Sequence, residues 1–478
     1  MNVVLISTYE LGRQPFGVAS PAAWLRQAGA SVTSMDLSRA SFEPEAIGSA
    51  DLVAFYVPMH TATRLATRLV GKVRALNPRA HLCFYGLYAP VNERFLRRLG
   101  AETILGGEFE EGLVKLVERL RARIELAGRP RRDSAGAVAQ PEPVISLARQ
   151  KFQVPDREGL PELSRYARLI CGDGTLRTVG YTEASRGCKH LCRHCPIVPV
   201  YRGQFRIVQP EVVLEDIRRQ VARGAQHITF GDPDFFNGVG HSVKLVEALH
   251  REHPDLTYDV TIKIEHLLGH SRHLATLRDT GCLFVTSAVE SIDDRVLNIL
   301  DKGHSRADFI EVTRRFREVG LNLSPTFVTF TPWTTLEGYR QLLSMIAELD
   351  LVNHVAPIQL AIRLLIPAGS RLLELAEVRE LVGEFDEASL VYPWVHEDRR
   401  VEKLCRDARE LVRKSEAKKE SRETIFSKVW ALADAAGKGT AEFIPTKSGA
   451  MPQPGSTARG FFLPSRATIP YLNEPWYC

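Results

Sequence analysis

The feature that most constrains this chain is an alternation, run twice, of short apolar segments with amphipathic helical stretches. In the first run the apolar segments are Asn2–Ile6, Ser31–Met35, Leu52–Val57 and Leu82–Tyr85, interleaved with or followed by helical patterns at Pro21–Ala28, Ala62–Leu76 and Glu108–Ile124. In the second they are Thr178–Ala184, His227–Phe230, Tyr258–Ile264, Leu283–Val289, Asn322–Thr329 and Ile358–Ile366. Helical patterns such as Glu211–Arg223, Ser242–His250, Ser305–Val319 and Leu336–Leu349 separate these. Apolar strands alternating with helices imply an α/β fold whose parallel sheets are covered on both faces. Residues 1–125 are therefore expected to form an open, doubly wound domain of Rossmann-like type. Residues 171–380 hold six strand–helix units, enough for a partial (β/α)6 barrel and too few for the eight-unit kind. Residues 126–170, rich in Arg, Pro, Ser, Ala and Gly, read as a linker. A helical, charge-rich region follows at 381–444, and residues 445–478 form a Pro/Gly-rich tail ending in Cys478.

Composition narrows the function classes. With 44% hydrophobic residues, the 478-residue chain can build real cores, which excludes wholesale disorder. A formal charge of +5 is mild for this length and argues for neither a nucleic-acid nor a membrane partner. The sequence has no run of 18 or more apolar residues, and its first residues, Met1-Asn2-Val3-Val4-Leu5-Ile6-Ser7, read as a buried strand with no signal-peptide features. Eight cysteines are too few for a disulfide scaffold, which points to a thiol-reducing, cytoplasmic setting.

Three of those cysteines lie in one octapeptide, Cys188-Lys189-His190-Leu191-Cys192-Arg193-His194-Cys195, directly after the first strand of the second run. Thiolates at this spacing can converge on one side of a loop. A [4Fe–4S] cluster takes four thiolates, so three leave one iron open to a small molecule. The competing reading is a zinc site completed by His190 or His194, but structural zinc prefers two separated ligand pairs and no second pair is present. Cys83, Cys171, Cys282 and Cys405 are isolated, and Cys83 and Cys282 fit small core residues.

On this octapeptide the chain resembles the radical S-adenosylmethionine (SAM) superfamily, with His194 where that family usually has an aromatic residue. The resemblance implies that Cys188, Cys192 and Cys195 hold the cluster and that its open iron chelates SAM. It implies further that Gly231-Asp232-Pro233, after the second strand, corresponds to the turn that meets the SAM amino group. Glu290 and Ser291, at the end of the fourth strand and followed by Asp301-Lys302-Gly303-His304, correspond to the segment near the ribose. Arg363 in the sixth strand is a candidate for the SAM carboxylate, with a structural pair to Glu265 or Glu290 as the alternative. Asp234, Lys263 and Glu265 are the candidate catalytic residues facing the reaction space.

The N-terminal unit and linker are similar to the cobalamin-binding-domain subgroup of that superfamily, which makes cobalamin a candidate third cofactor. The Asp-x-His-x-x-Gly loop that ligates cobalt is missing, and His60 lacks its flanking acid and glycine. The ending Glu474-Pro475-Trp476-Tyr477-Cys478 resembles the radical SAM group named for a Cys–Cys–Ala–Glu–Pro or Cys–selenocysteine–Ala–Glu–Pro terminus. That resemblance raises a selenocysteine after Cys478, and a tail thiol for arsenic or another thiophilic substrate. The expected function is reductive cleavage of SAM to a 5′-deoxyadenosyl radical acting on an unidentified small molecule or peptide, supplied with electrons by a flavodoxin or ferredoxin. The alternatives are a cobalamin-dependent methyltransferase and a non-catalytic zinc- or cluster-stabilised scaffold.

Overall fold

The computed structural model describes residues 1–127, 140–437 and 469–472. Cys478 and most of the tail, like part of the linker, lie outside the described residues.

The first run of strands forms one parallel sheet from β1 (Asn2–Ser7), β2 (Ser31–Asp36), β3 (Leu52–Tyr56), β4 (His81–Tyr85), β5 (Thr103–Gly107) and β6 (Ile145–Ser146), in the order β2-β1-β3-β4-β5-β6. Helices on both faces bury two cores. One holds Val53, Phe55, Leu82 and Phe84, the other Leu5, Leu52, Ala54 and Tyr85, as the period-2 alternation of side chains along a strand requires. Two elements were not anticipated. The strand β5 is short and glycine-containing, and β6 comes from the linker, which adds its edge to this sheet. The expected helix Ala62–Leu76 divides into His60–Thr67 and Val70–Leu76.

The second sheet contains β7 (Arg168–Ile170), β8 (Leu176–Thr182), β11 (His227–Phe230), β12 (Thr257–Thr261), β13 (Cys282–Glu290), β14 (Asn322–Phe327) and β15 (Tyr471–Leu472). Its order is β14-β13-β12-β11-β8-β7-β15, with β8 to β14 mutually parallel and β7 and β15 antiparallel at the edge. A small antiparallel pair, β9 (Ser185–Gly187) with β10 (Phe205–Ile207), brackets the cysteine octapeptide. The sixth strand is reduced. Pro357 starts a single 3-10 turn through Leu360, and only a one-residue parallel bridge, Phe330 to Arg363, continues the sheet.

Helices cover the outer face of this curled sheet. Arg306–Val319 shows why they form where they do: Ser305 and Asp308 make a reciprocal capping box at its start, and Gly320 ends it at φ 74°. Pro210–Ala222 buries Val213, Asp216, Ile217 and Gln220, a stripe at helical spacing. Asp216 is buried because the linker supplies its partner. Arg157 binds it through Nε (3.1 Å) and Nη2 (2.9 Å), while also donating to the Tyr181 carbonyl (2.7 Å) and to Gln14 Oε1 (3.0 Å). The linker thus locks the two sheets together. Among the described residues no helix is long and apolar enough to cross a membrane.

Candidate active site at the carboxyl edge of the second sheet

In a parallel α/β sheet, chain leaving the carboxyl ends of the strands is free of the ladder and can carry functional groups. The cysteine loop follows β8 and β9, Gly231–Asp234 follows β11, Lys263 and Glu265 follow β12, and Glu290 ends β13. All of these therefore share one edge.

The loop is held by its non-cysteine residues. The Arg193 amide donates to the Leu300 carbonyl (2.9 Å), and its guanidinium donates to the carbonyls of Asn298 (3.1 Å) and Ile299 (2.9 Å). The Lys189 amide donates to Asn237 Oδ1 (3.2 Å), and Arg371 donates to the Leu191 carbonyl (2.8 Å). His194 Nε2 meets Glu290 Oε1 at 3.1 Å, and His190 Nδ1 accepts from Lys263 Nζ at 3.0 Å. The His190 Nε2 atom lies 3.3 Å from His266 Nε2 and 3.5 Å from Asp234 Oδ2, and Asp234 Oδ2 in turn lies 2.6 Å from His266 Nδ1. Each histidine of the octapeptide is thereby tied to a different strand end.

All three cysteines are free thiols. Burial pushes the Cys188 thiol up to about 11 and the Cys195 thiol up to about 12, so both stay protonated unless a metal takes the place of the proton. Lys263 acts in the opposite sense on Cys188, and Lys302 on Cys195. This donor set, three soft sulfurs with two ammonium groups near them, fits an anionic iron–sulfur cluster. The other described cysteines belong to different elements: Cys83 to β4, Cys282 to the amino end of β13, Cys405 to the helix Arg399–Ala417, and Cys171 to the turn after β7.

The acids around the loop differ in state. Burial alone would raise the Glu290 carboxyl, but Lys302 and His194 outweigh it and hold it at about 2. Lys302 Nζ lies 3.3 Å from Glu290 Oε1 and is itself buried. Glu290 sits at φ 67°, where the β13–β14 register shifts, a strained conformation for a residue with a side chain. The Asp234 carboxyl is also held at about 2, because hydrogen bonds and charge from His190 and His266 overcome its burial. Ser291 Oγ accepts from the Asp293 amide (3.0 Å), shaping the turn into the next helix. Lys263 Nζ pairs with Glu265 Oε2 at 3.1 Å, and the Glu265 side chain is 48% exposed, the opening of this cluster to solvent.

Two expected ligands are otherwise engaged. Arg363 Nη1 donates to both Glu402 oxygens (3.0 Å each), Nη2 donates to the Trp394 carbonyl (2.5 Å), and the guanidinium stacks on the Trp394 ring at 3.6 Å. Its partner is neither Glu265 nor Glu290, and both terminal nitrogens of its guanidinium are engaged. The Asp232 carboxylate accepts from the Ala184 amide (2.9 Å) and Ser185 Oγ (2.6 Å), binding β11 to the segment that leads into the loop. It supports the site from behind, and burial raises its carboxyl to about 7. Gly231 has a similarly structural reason, since a Cβ there would lie 1.8 Å from Tyr181 Oη. Pro233 is half-buried between these two acids of the turn.

Sequence reasoning missed His266 and Arg186. His266 adjoins Glu265 at a strand end, and Arg186 precedes the first cysteine by two positions. Position was the only signal either one carried.

This geometry accords with what comparison with other proteins shows. Residues 182–345 match the Radical SAM superfamily, and the chain carries a radical SAM domain. By sequence it is similar to the hopanoid C-3 methylase of Methylococcus capsulatus, 26% identical over 67% of this chain and 62% of that protein. It is also similar to the tRNA-2-methylthio-N(6)-dimethylallyladenosine synthase of Desulfosudis oleivorans, 25% identical over 44% of this chain and 46% of that one. The chain thus spans about half the length of the tRNA-modifying relatives it matches. By fold it is similar to the cobalamin-dependent SAM radical enzyme OxsB, solved with aqua-cobalamin and SAM (TM-score 0.68, 15% identity, 91% of this chain and 71% of that one). A second fold relative is the methyltransferase TsrM from Kitasatospora setae, solved with cobalamin and a [4Fe–4S] cluster (TM-score 0.57, 17% identity, 73% of each chain).

Proposed function

We propose that the protein is a radical SAM enzyme in which Cys188, Cys192 and Cys195 hold a [4Fe–4S] cluster. When bound, that cluster supplies the electron that splits SAM into methionine and a 5′-deoxyadenosyl radical. The protein's own contribution is positional. The loop is anchored through His190, Arg193 and His194, which holds the backbone that carries the three sulfurs. Lys263 and Lys302 offset the negative charge gathered there. The backbone at Gly231–Asp234, with Glu290 and Ser291, forms the wall against which SAM would lie. Asp234, Lys263 and Glu265 line the side from which a substrate would enter. The observation that carries this reading is three free cysteines on one anchored loop, at the carboxyl edge of the sheet within the matched domain. The electron donor in this reading is a flavodoxin or ferredoxin, and the substrate is a small molecule or peptide.

Anaerobic reconstitution with iron and sulfide tests the proposal. The expected result is about four irons per chain, a reduced-cluster electron paramagnetic resonance (EPR) signal altered by SAM, and 5′-deoxyadenosine formed with dithionite. Colourless protein, or 5′-deoxyadenosine formation unchanged by alanine at all three cysteines, would refute it. The fold likeness to OxsB and TsrM favours a second reading, cobalamin-dependent methyl transfer. Its precondition is room for a corrin beside the first sheet.

A further inference from the structure

A doubly wound sheet takes its ligand in the crevice outside the carboxyl ends of its strands, where the strand order reverses. Here that point lies between β1 and β3, and it is bridged. Thr8 Oγ1, just after β1, donates to the Ala62 carbonyl in the helix after β3 (2.9 Å), and both are buried. The same helix is covered from the other half of the molecule. His60 Nε2 bonds the Ser389 carbonyl, and Arg64 donates to the Ala388 carbonyl (3.2 Å).

The space beside this point is filled. Tyr56 and Tyr85 end β3 and β4, and with Phe109 they form a trio of rings with centroids 5.1–6.0 Å apart. They occupy the gap between the helices Phe16–Gln27 and Glu110–Ala127. Tyr85 Oη donates to the Gly17 carbonyl (2.9 Å), and the Tyr56 ring approaches so closely that a Cβ on Gly17 would lie 2.0 Å from it. At the end of β5, Arg186 reaches across from β9. It binds Glu110 (2.7 and 2.9 Å), Glu108 (3.4 Å) and Glu183 (2.8 Å), with the rings of Phe16, Phe109 and Phe152 about its guanidinium at 4.9–5.5 Å. A cavity of about 10 Å³ lies nearby, between the helix Phe16–Gln27, the linker at Phe152–Pro155 and the helix Pro210–Ala222.

From this closure we infer that the first sheet does not take cobalamin, and that its carboxyl edge instead clamps the strand entering the cysteine loop, with Arg186 as the positioning residue. The closure stands on packing alone, while the purpose of the clamp rests on the radical SAM reading. Arg186 lies on β9, two residues before Cys188, and Glu108 and Glu110 hold it from the N-terminal unit. The N-terminal unit thus bears on the start of the loop that carries the three thiols.

The experiment has two arms on the full chain. Reconstituted protein is incubated with hydroxocobalamin, desalted and read by its corrin absorbance. Less than about a tenth of an equivalent retained is expected, and about one equivalent retained would overturn the closure. In the second arm Glu110→Gln and the milder Glu108→Gln are compared by cluster EPR in the presence of SAM. Loosening the clamp is expected to broaden or split the signal and to lower 5′-deoxyadenosine formation about tenfold, as loss of an outer-shell partner does. If whichever variant folds keeps the wild-type spectrum and turnover, the clamp is refuted. Wild-type protein that binds no cluster would defeat the radical SAM reading and the clamp together, and the corrin measurement would still decide the closure.

Discussion

His194 Nε2, inside the cysteine octapeptide, lies 3.1 Å from Glu290 Oε1, at the far end of another strand and 96 residues away in sequence. The same oxygen faces buried Lys302. One carboxylate thus joins the cysteine loop to β13 and neutralises a cation that stands near Cys192 and Cys195.

Removing that carboxylate should be costly. Glu290→Ala strands the Lys302 ammonium in the interior, which typically costs about 3–5 kcal/mol. Chemical denaturation of the cluster-free protein should show this loss. Adding Lys302→Met should recover a large part of it, because the buried charge is then gone. A double variant no more stable than Glu290→Ala would show that the two residues are not coupled.

Gly231 makes a contact prediction. Alanine there would put a methyl group 1.8 Å from Tyr181 Oη. Gly231→Ala should therefore cost about 1–3 kcal/mol through overpacking, and Tyr181→Phe in the same chain should restore part of it. If the alanine variant matches wild type in its denaturation midpoint, the close approach of Tyr181 is wrong.

Asp232 predicts a pH dependence. Burial raises its carboxyl from an ordinary 3.8 to about 7. A carboxyl raised by folding favours the native state fully below its unfolded value, and that advantage disappears as the pH rises through its folded value. Stability should therefore fall between about pH 4 and 7 from this group, and Asp232→Asn, which carries no charge, should flatten the fall. Denaturation midpoints of the two proteins at several pH values give the test, and parallel curves would exclude Asp232 as the source.

Arg363 predicts a separation of stability from activity. Its partly exposed pair with Glu402 supports the start of the helix Arg399–Ala417. Arg363→Gln should lower stability by about 1 kcal/mol and leave the SAM concentration dependence of 5′-deoxyadenosine formation within about twofold. A large rise in the SAM requirement would return Arg363 to the cofactor.

Much of the architecture could be read in the chain because the signals are local. His227–Phe230 alternates polar with apolar residues and forms β11 over those same residues. The run at Tyr258–Ile264 was read too long, since Lys263 becomes the N-cap of a short helix and the strand stops at Thr261. The expected strand Ile358–Ile366 becomes a 3-10 turn at Pro357–Leu360 and a one-residue bridge at Arg363.

What the sequence determined by itself is the alternation that dictates parallel sheets and the cysteine spacing that specifies a three-thiolate loop, because both depend on periodicity within a few neighbouring residues. Only the tertiary structure decided that Arg363 belongs to Glu402, that Asp232 supports the segment leading to the loop, that His190 and His194 anchor to different strands, and that Tyr85 meets the Gly17 carbonyl. Those outcomes join residues tens to hundreds of positions apart. They follow from strand register and from the requirement that every buried charge and ring find a partner, which no local pattern encodes.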